Sequence, residues 1–140
     1  MVVVHGDAGS SDAGTISWIQ DPASKVSYHY LVGRDGRAYQ FVEESDKAWH
    51  AGASEWEGFI NVNEISIGVS FANDGAEQFR DIQYQMGGKL ISQICKRHNI
   101  PAHRIRGHYE VSPGRKTDPW SHFNWSRMLQ WYALHSGDKL

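Results

Sequence analysis

Two histidines and one aspartate are the residues of this sequence best suited to chemistry. His5 closes the β-branched run "MVVVH", His108 closes "RIRGH", and Asp118 follows ten residues later in "GHYEVSPGRKTDPW". Pro113 and Pro119 stiffen the loop that carries Asp118. Two imidazoles and one carboxylate, with a fourth position left open, are typical of a catalytic zinc site. Spacing alone also allows the ordinary alternative, in which each histidine is a surface residue or a hydrogen-bonded core residue.

Two adjacent cations, Arg115 and Lys116, stand just before Asp118 in the same loop. A metal site beside a substrate that develops negative charge would use such a cation, because an ammonium group stabilises an oxyanion. The guanidinium of Arg115 would alternatively pair with a carboxylate of the substrate. The ordinary alternative for Lys116 is a solvated loop cation.

Short strands and helices must position these residues. The pattern predicts the strands "MVVVH", "VSYHYLV", "RAYQFV", "ISIGVSF" and "RIRGH", the helices "TISWIQ", "RDIQYQMGGKLISQICKRH" and "FNWSRMLQWYALH", and the loop "GDAGSSDAG". Asp35-Gly36 signals a tight hairpin turn, and Pro22 ends the first helix. This mixture predicts an α/β fold, with one domain over residues 1–140 and a central mixed β-sheet flanked by helices. Functional residues of such sheets lie beyond strand ends, where His5 and His108 are expected.

The longest predicted helix has an apolar stripe that would pack on the sheet. Its members are Ile82, Met86, Leu90 and Ile94, widened by Ile91 and Cys95. The pair Gly87-Gly88 lowers helix propensity. A close approach of the helix to a strand would be one reason for two glycines here.

Composition excludes several classes of protein. The chain has 140 residues and a formal net charge of −2, without a run of lysine and arginine, so we expect no nucleic-acid partner. No apolar run approaches a membrane span, so we expect no membrane insertion. The single Cys95 excludes an internal disulfide and a cysteine-based zinc finger. The start "MVVVHGDAGS" lacks the charged lead-in of a signal peptide, so we expect synthesis in the cytoplasm. We also expect the protein to be a monomer.

Five segments carry a resemblance to a known family across nearly the whole chain. They are, in order, "VVVHGDAGS", "VSYHYLVGRDGRAYQFV", "AWHAG", "NEISIGVSF" and "GHYEVSPGRKTDPW". Together they resemble the zinc-dependent N-acetylmuramoyl-L-alanine amidases of the type-2 family, which includes phage lysozymes and animal peptidoglycan-recognition proteins. The resemblance implies Zn²⁺ bound by His5, His108 and Asp118, with aspartate in place of the cysteine that many members use. It also implies hydrolysis of the amide between the lactyl group of muramic acid and L-alanine, with zinc polarising the carbonyl.

The resemblance also implies two catalytic residues. Lys116 matches a family lysine two residues before the third ligand and would stabilise the oxyanion. Tyr28 matches a family tyrosine that faces the reacting water; strand alternation places residues 28 and 30 on one face, so we expect Tyr28, and not His29, at the zinc. Some members carry a general-base glutamate where this chain has Ser70, which cannot act as a base unaided. Glu64 lies nearby in sequence and is the alternative base.

Four further residues are expected on the substrate side. His50 in "AWHAG" matches a family histidine that lines the cleft, where it would bind the stem peptide or assist proton transfer. Trp49 and Asn63 belong to the same wall. The alternative for Trp49 and Asn63 is a packed loop with a buried amide bonded to backbone. Arg115 would bind a carboxylate of the stem peptide.

Three functions compete at this point. The first is a phage or prophage endolysin that cleaves peptidoglycan after release through a holin-type pore, favoured by the compact length. The second is a cytosolic recycling amidase acting on soluble anhydro-muropeptides, favoured by the "PGRKTDP" loop and disfavoured by Ser70. The third is a non-catalytic peptidoglycan-binding module, disfavoured because all three expected zinc ligands are present.

Overall fold

A computed structural model describes residues 1–137 of the chain. The elements follow in the order β1 (Val2–Gly6), α1 (Asp12–Gln20), β2 (Tyr30–Val32), β3 (Ala38–Gln40), β4 (Glu55–Trp56), β5 (Phe59–Ile60), β6 (Ile67–Phe71), α2 (Asp81–His98), β7 (Ile105–Gly107), α3 (His108–Val111) and α4 (Trp125–Ser136). The domain predicted for residues 1–140 thus extends by three residues beyond the described part. No helix within the described residues combines the length and apolar character needed to cross a membrane.

The central sheet is mixed, as the sequence predicts. Its five strands lie in the order β3-β2-β6-β1-β7, in which β2, β6, β1 and β7 run parallel and β3 runs antiparallel to β2. The predicted hairpin joins β2 to β3, and Gly36 has a φ of 84° at its turn. A second hairpin, β4 with β5, was not predicted, because strands of two residues show no alternation.

Side chains of β1 alternate between the two faces of the sheet, and His5 lies on the face opposite the large core cluster. Val2 and Val4 pack into the large cluster under α2 and α4. Val3 points to the opposite face and packs with Met1 and Val62 in a smaller cluster. His5 follows Val3 by two residues and is fully buried on that second face.

Glycines allow α2 to lie close to its neighbours. A Cβ at Gly87 would lie 2.3 Å from the ring of Phe71 in β6, and one at Gly88 would lie 2.7 Å from the backbone oxygen of Met128 in α4. The expected close approach to a strand is therefore confirmed for Gly87, whereas Gly88 faces a helix. The apolar stripe begins later than predicted, because Ile82 is 37% exposed and Gln83 turns inward, where its amide donates to the carbonyl of Ala72 at 2.9 Å.

Among the element boundaries that differ from the prediction, those of α1 and β7 adjoin the site. Helix α1 starts at Asp12, inside the predicted loop, because the Ser11 hydroxyl accepts from Gly14 N at 3.0 Å and caps the first turn. Strand β7 ends at Gly107, so His108 is the first residue of α3 and not the end of a strand.

Candidate active site

The three predicted metal ligands converge at the carboxyl ends of β1 and β7. These strands pair in parallel, which brings His5 of β1 next to His108, the residue after β7. The backbone N–H of Gly6 donates to Asp118 Oδ2 at 3.2 Å and holds the returning loop against β1. His5 Nδ1 lies 3.1 Å from His108 Nδ1 and 3.4 Å from Asp118 Oδ2, and His108 Nδ1 lies 3.1 Å from Asp118 Oδ1. All three side chains are buried.

The chemistry of this donor set fits a metal cation. The Nε2 atom of His108 lies 2.9 Å from the carbonyl oxygen of Ala51, which only accepts, so Nε2 carries the proton. In the neutral ring Nδ1 then has its lone pair aimed at His5 and at the Asp118 carboxylate. A buried group of nitrogen and carboxylate donors with lone pairs facing one another is stabilised by a cation between them. His5, His108 and Asp118 could therefore hold a metal ion.

The electrostatics keep His5 and Asp118 in the forms that ligation requires. Burial lowers the pKa of His5 to about 4, although the neighbouring Asp118 carboxylate opposes the shift, so the ring is neutral near pH 7. Burial acts to raise the pKa of Asp118, but the imidazole rings of His108 and His5 beside the carboxylate outweigh it and hold that pKa below its ordinary value. Metal ligands are neutral imidazoles and ionised carboxylates.

Tyr28 lies beside His5, with ring centres 5.0 Å apart. The reason given from alternation is wrong, because β2 begins only at Tyr30 and alternation does not extend back to Tyr28. Tyr30 packs on the opposite face, in the cluster under α2. Burial, followed by the charges of Asp118 and Asp7, raises the pKa of Tyr28, so its hydroxyl remains protonated.

His29 lies on the same side as Tyr28 but deeper. Its ring centre is 5.9 Å from that of His50. Its Nδ1 accepts from Gly68 N at 3.0 Å, and its Nε2 donates to the carbonyl of Asp46 at 2.7 Å. Both nitrogens are therefore occupied by backbone groups, and His29 has none left for a metal or substrate.

A cleft of about 300 Å³ opens beside the three donors. Tyr28, His108 and Asp118 line it, and Lys116 stands at its border. No hydrogen bond or ion pair to the Lys116 ammonium occurs among residues 1–137, and the positive charge of Lys116 contributes to lowering the pKa of His5. Lys116 also borders a larger aromatic groove of about 800 Å³ on its other side.

The predicted substrate wall divides into buried and exposed residues. His50 is 5% exposed, and Asn63 Oδ1 accepts from the backbone N–H groups of His50 and Ala51 at 3.1 and 2.8 Å. Asn63 thus follows the packed-loop alternative, although it also reaches the cleft. Trp49 is 58% exposed at the rim of the cleft, with the Lys47 ammonium 3.9 Å from its ring centre.

The guanidinium of Arg115 is engaged by the protein itself. Nη2 donates to the carbonyl oxygens of Ala51 and Ala53 and to the Ser112 hydroxyl, and Nε donates to Ala53 at 3.3 Å. Ala51 O also accepts from His108 Nε2, so Arg115 supports the loop that orients a predicted ligand.

Neither Ser70 nor Glu64 supplies a general base to the site. Ser70 pairs in register with His5 and is fully buried. Its hydroxyl makes no hydrogen bond of ordinary geometry. It lies near enough to Tyr28 to oppose the rise in the pKa of Tyr28. Glu64 pairs with Lys47 at 2.6 Å and does not border the cleft, so the structure contradicts the Glu64 alternative.

Several residues at the cleft escaped the sequence analysis, Asp7 and Trp18 among them. Asp7 follows His5 by two residues in "HGD", and the strand-end argument applied to His5 also covers it. Trp18 is 44% exposed on α1, where no sequence signal separates it from an ordinary helical aromatic.

With this geometry in view, comparison with known proteins identifies the family. The model of the Amidase_2 family, described as N-acetylmuramoyl-L-alanine amidase, matches residues 1–121. The chain therefore belongs to this amidase family, as the five segments indicate. The 1,6-anhydro-N-acetylmuramyl-L-alanine amidase AmpD of Haemophilus influenzae is 40% identical over 106 residues, which are 75% of this chain and 58% of that protein.

Solved structures agree with this assignment. The complex of the N-acetylmuramyl-L-alanine amidase AmiD from E. coli with the substrate anhydro-N-acetylmuramic acid-L-Ala-D-gamma-Glu-L-Lys superimposes with a TM-score of 0.86 at 30% identity, covering 94% of this chain and 56% of that one. A mutant endolysin from Bacillus subtilis is similar at a TM-score of 0.65 and 24% identity, over 79% of this chain and 71% of that one, and shows the fold alone. The chain spans little more than half the length of AmpD and AmiD.

Proposed function

We propose that this chain hydrolyses the amide bond between the lactyl group of N-acetylmuramic acid and L-alanine, with soluble anhydro-muropeptides in the cytosol as its substrates. The convergence of His5, His108 and Asp118 beside an open cleft carries the hydrolytic part of the proposal. The relatives carry the substrate part, since AmpD at 40% identity is named for the anhydro sugar and AmiD at 30% is complexed with an anhydro-muropeptide. The likeness to an endolysin, at 24% identity, supports only the fold.

Zinc is the metal that this donor set suits. Zinc–nitrogen bonds of about 2.0–2.1 Å in a tetrahedron place neighbouring ligand atoms roughly 3.3 Å apart. With Oδ2 as the carboxylate donor, the three donor pairs are separated by 3.1, 3.4 and 3.4 Å. When bound, zinc supplies a Lewis acid for the scissile carbonyl and makes the attacking water more acidic.

Tyr28 donates a hydrogen bond at the reacting centre. Its hydroxyl stays protonated because burial and the charges of Asp118 and Asp7 raise its pKa. A phenol held beside His5 is therefore a fixed donor for the carbonyl oxygen of the substrate or for the attacking water.

Lys116 stabilises the charge that develops on the substrate oxygen. Its ammonium borders the cleft, and no partner among residues 1–137 neutralises it. A cation that is already in place requires no reorganisation when the tetrahedral oxyanion forms.

The test compares a soluble and a polymeric substrate. The zinc-loaded chain is incubated with an anhydro-N-acetylmuramyl tripeptide and, separately, with purified peptidoglycan, and products are identified by mass spectrometry. We expect free tripeptide with an unblocked L-alanine from the soluble substrate, abolished by chelation. Release from the polymer at an equal or higher rate would favour the endolysin, and no cleavage of either would leave a binding module.

Lys116→Ala is the matched variant for this assay. We expect it to retain zinc and to lose about 10²–10³-fold in rate. Lys89→Ala, which removes an exposed lysine on α2 away from the cleft, is the control and should keep the wild-type rate. Full activity of Lys116→Ala would refute the role of this lysine.

A further inference from the structure

A row of hydrogen bonds leads from the candidate metal centre into the interior. His5 Nε2 lies 2.9 Å from His50 Nδ1, and His50 Nε2 lies 3.0 Å from Ser66 Oγ. Ser66 Oγ lies 2.6 Å from the carbonyl oxygen of Val62. All four groups lie on the face of the sheet that carries His5, away from α2 and α4.

The chemistry of the last member fixes the direction of every bond in the row. A carbonyl oxygen only accepts, so the hydroxyl of Ser66 donates to Val62. The Ser66 oxygen then accepts from His50 Nε2–H, which leaves Nδ1 of the neutral His50 ring as an acceptor. His5 must consequently donate from Nε2, and its Nδ1 carries the lone pair.

We propose that His50 and Ser66 are positioning residues that hold His5 in the tautomer whose Nδ1 lone pair faces His108 and Asp118, and that they thereby set the metal affinity of the site. The inference rests on the metal site of the proposed function. It gives His50 a different role from the substrate contact expected from sequence.

The alternative tautomer of His5 shows why an acceptor at His50 matters. Without it, Nε2–H of His5 would be a buried donor with no partner, which costs free energy. Moving the proton to Nδ1 relieves that cost, because Asp118 Oδ2 lies 3.4 Å from Nδ1 and accepts. A protonated Nδ1 cannot bind a metal, so a metal ion would compete against that hydrogen bond.

The surrounding backbone is shaped to keep the His50 ring in place. Asn63 Oδ1 fixes the backbone N–H of His50, and Asn63 lies in the same 3₁₀ turn as Val62. Gly68 leaves room for the ring, since a Cβ there would lie 2.6 Å from His50 Cγ. Residues 62–68 therefore act on His50 in three ways. Val62 O ends the row of hydrogen bonds, Asn63 holds the backbone of His50, and Gly68 leaves space for its ring.

The first measurement reads the tautomers directly in the metal-free chain. Long-range ¹H–¹⁵N correlation spectra distinguish protonated from unprotonated ring nitrogens. We expect Nε2–H with a bare Nδ1 for both His5 and His50. A proton on Nδ1 of His5 in the wild-type chain would overturn the inference whether or not the chain is an enzyme.

The second measurement is zinc affinity by competition with a chromophoric chelator. His50→Phe keeps a ring in the space above Gly68 and removes both nitrogens, and it should weaken zinc binding about 10–100-fold. His50→Asn places an amide oxygen near the position of Nδ1 and should restore most of that loss. Ser66→Ala should cause a smaller loss of about 3–10-fold, because it acts one bond further from His5.

Ser92→Ala is the control for Ser66→Ala. Ser92 is also buried, and its hydroxyl donates to the carbonyl of Lys89 at 2.6 Å, but it lies in α2 away from the site. Three outcomes would overturn the inference. The first is an equal loss of zinc affinity in Ser66→Ala and Ser92→Ala, and the second is wild-type zinc affinity in folded His50→Phe. The third is an equal loss of zinc affinity in His50→Phe and His50→Asn. Absence of zinc binding in the wild type would refute the metal site together with the positioning role. Loss of amidase activity with zinc binding intact would refute only the proposed function.

Discussion

A methyl group added at Gly68 would test how tightly the sheet holds the candidate metal centre. In Gly68→Ala the new Cβ would lie 2.6 Å from Cγ and 2.8 Å from Nδ1 of His50. Carbon atoms in contact are separated by about 3.5–4.0 Å, so the ring must move by roughly 1 Å. His50 Cγ is bonded directly to Cβ, so rotation of the ring cannot relieve the clash and the whole ring must shift. Such a shift would break the 2.9 Å contact between His50 Nδ1 and His5 Nε2.

The magnitude follows from two opposing effects. Overpacking a core costs about 1–3 kcal/mol. Alanine in a strand regains about 0.5–1 kcal/mol relative to glycine. We therefore expect Gly68→Ala to lower the free energy of unfolding by about 1–2 kcal/mol, and to weaken zinc binding about 10–100-fold because His5 loses its acceptor.

Gly87→Ala in α2 provides the matched control, because α2 packs on the opposite face of β6. Its Cβ would lie 2.3 Å from the ring of Phe71, so it should also lower stability. It contacts no residue of the site and should leave zinc affinity unchanged. Urea denaturation and chelator competition on both variants measure the two effects. Wild-type zinc affinity in Gly68→Ala, or an equal loss of affinity in Gly87→Ala, would refute the reasoning.

Three further predictions concern single side chains. Tyr28→Phe should keep its zinc, measured by metal analysis, and lose about 10²–10³-fold in single-turnover rate; an unchanged rate would exclude the phenol from catalysis. Arg115→Ala should lower the free energy of unfolding in urea by about 1–2 kcal/mol, because it donates to Ala51 and Ala53; a rise in KM confined to substrates with a free stem-peptide carboxylate would instead support carboxylate binding. The hydrogen bond from Arg97 lowers the pKa of Glu44 to about 2, although burial acts to raise it. Tyr30 and His98 add to the lowering. The contribution of Glu44 to the free energy of unfolding is therefore full above pH 4.5 and is lost as the pH falls toward 2. Urea denaturation should therefore show Glu44→Gln less stable by about 1–2 kcal/mol at about pH 6 and closer to wild type at about pH 3, with Glu43→Gln unchanged at both.

The fold was predictable where long segments carry a period. The stripe of α2, the β-branched run of β1 and the Asp35-Gly36 turn each express a local preference that the tertiary structure keeps. Prediction failed where a single contact decides a boundary. The Ser11 cap starts α1 early, and the two short strands β4 and β5 form around Gly58, whose φ is 85°.

The placement of Tyr28 shows the limit of alternation arguments. Tyr28 reaches the site as expected, yet by a route that strand geometry did not supply, since the chain is irregular before Tyr30. His29 was expected to point away and lies on the same side, bonded to backbone. Alternation holds only where a ladder of hydrogen bonds imposes it.

The sequence by itself determined the donor types, their order along the chain and the family to which they belong. His5, His108 and Asp118 are separated by up to 113 positions. The parallel pairing of β1 with β7 brings the two histidines together, and the bond from Gly6 N–H holds Asp118 beside them. Only the tertiary structure supplies the carbonyl of Ala51 as the partner of His108 Nε2, bonds Arg115 to the protein and places Glu64 away from the cleft. The physical reason is that residue type fixes the capacity to donate or accept a hydrogen bond, whereas the partner that uses this capacity comes from a distant part of the chain.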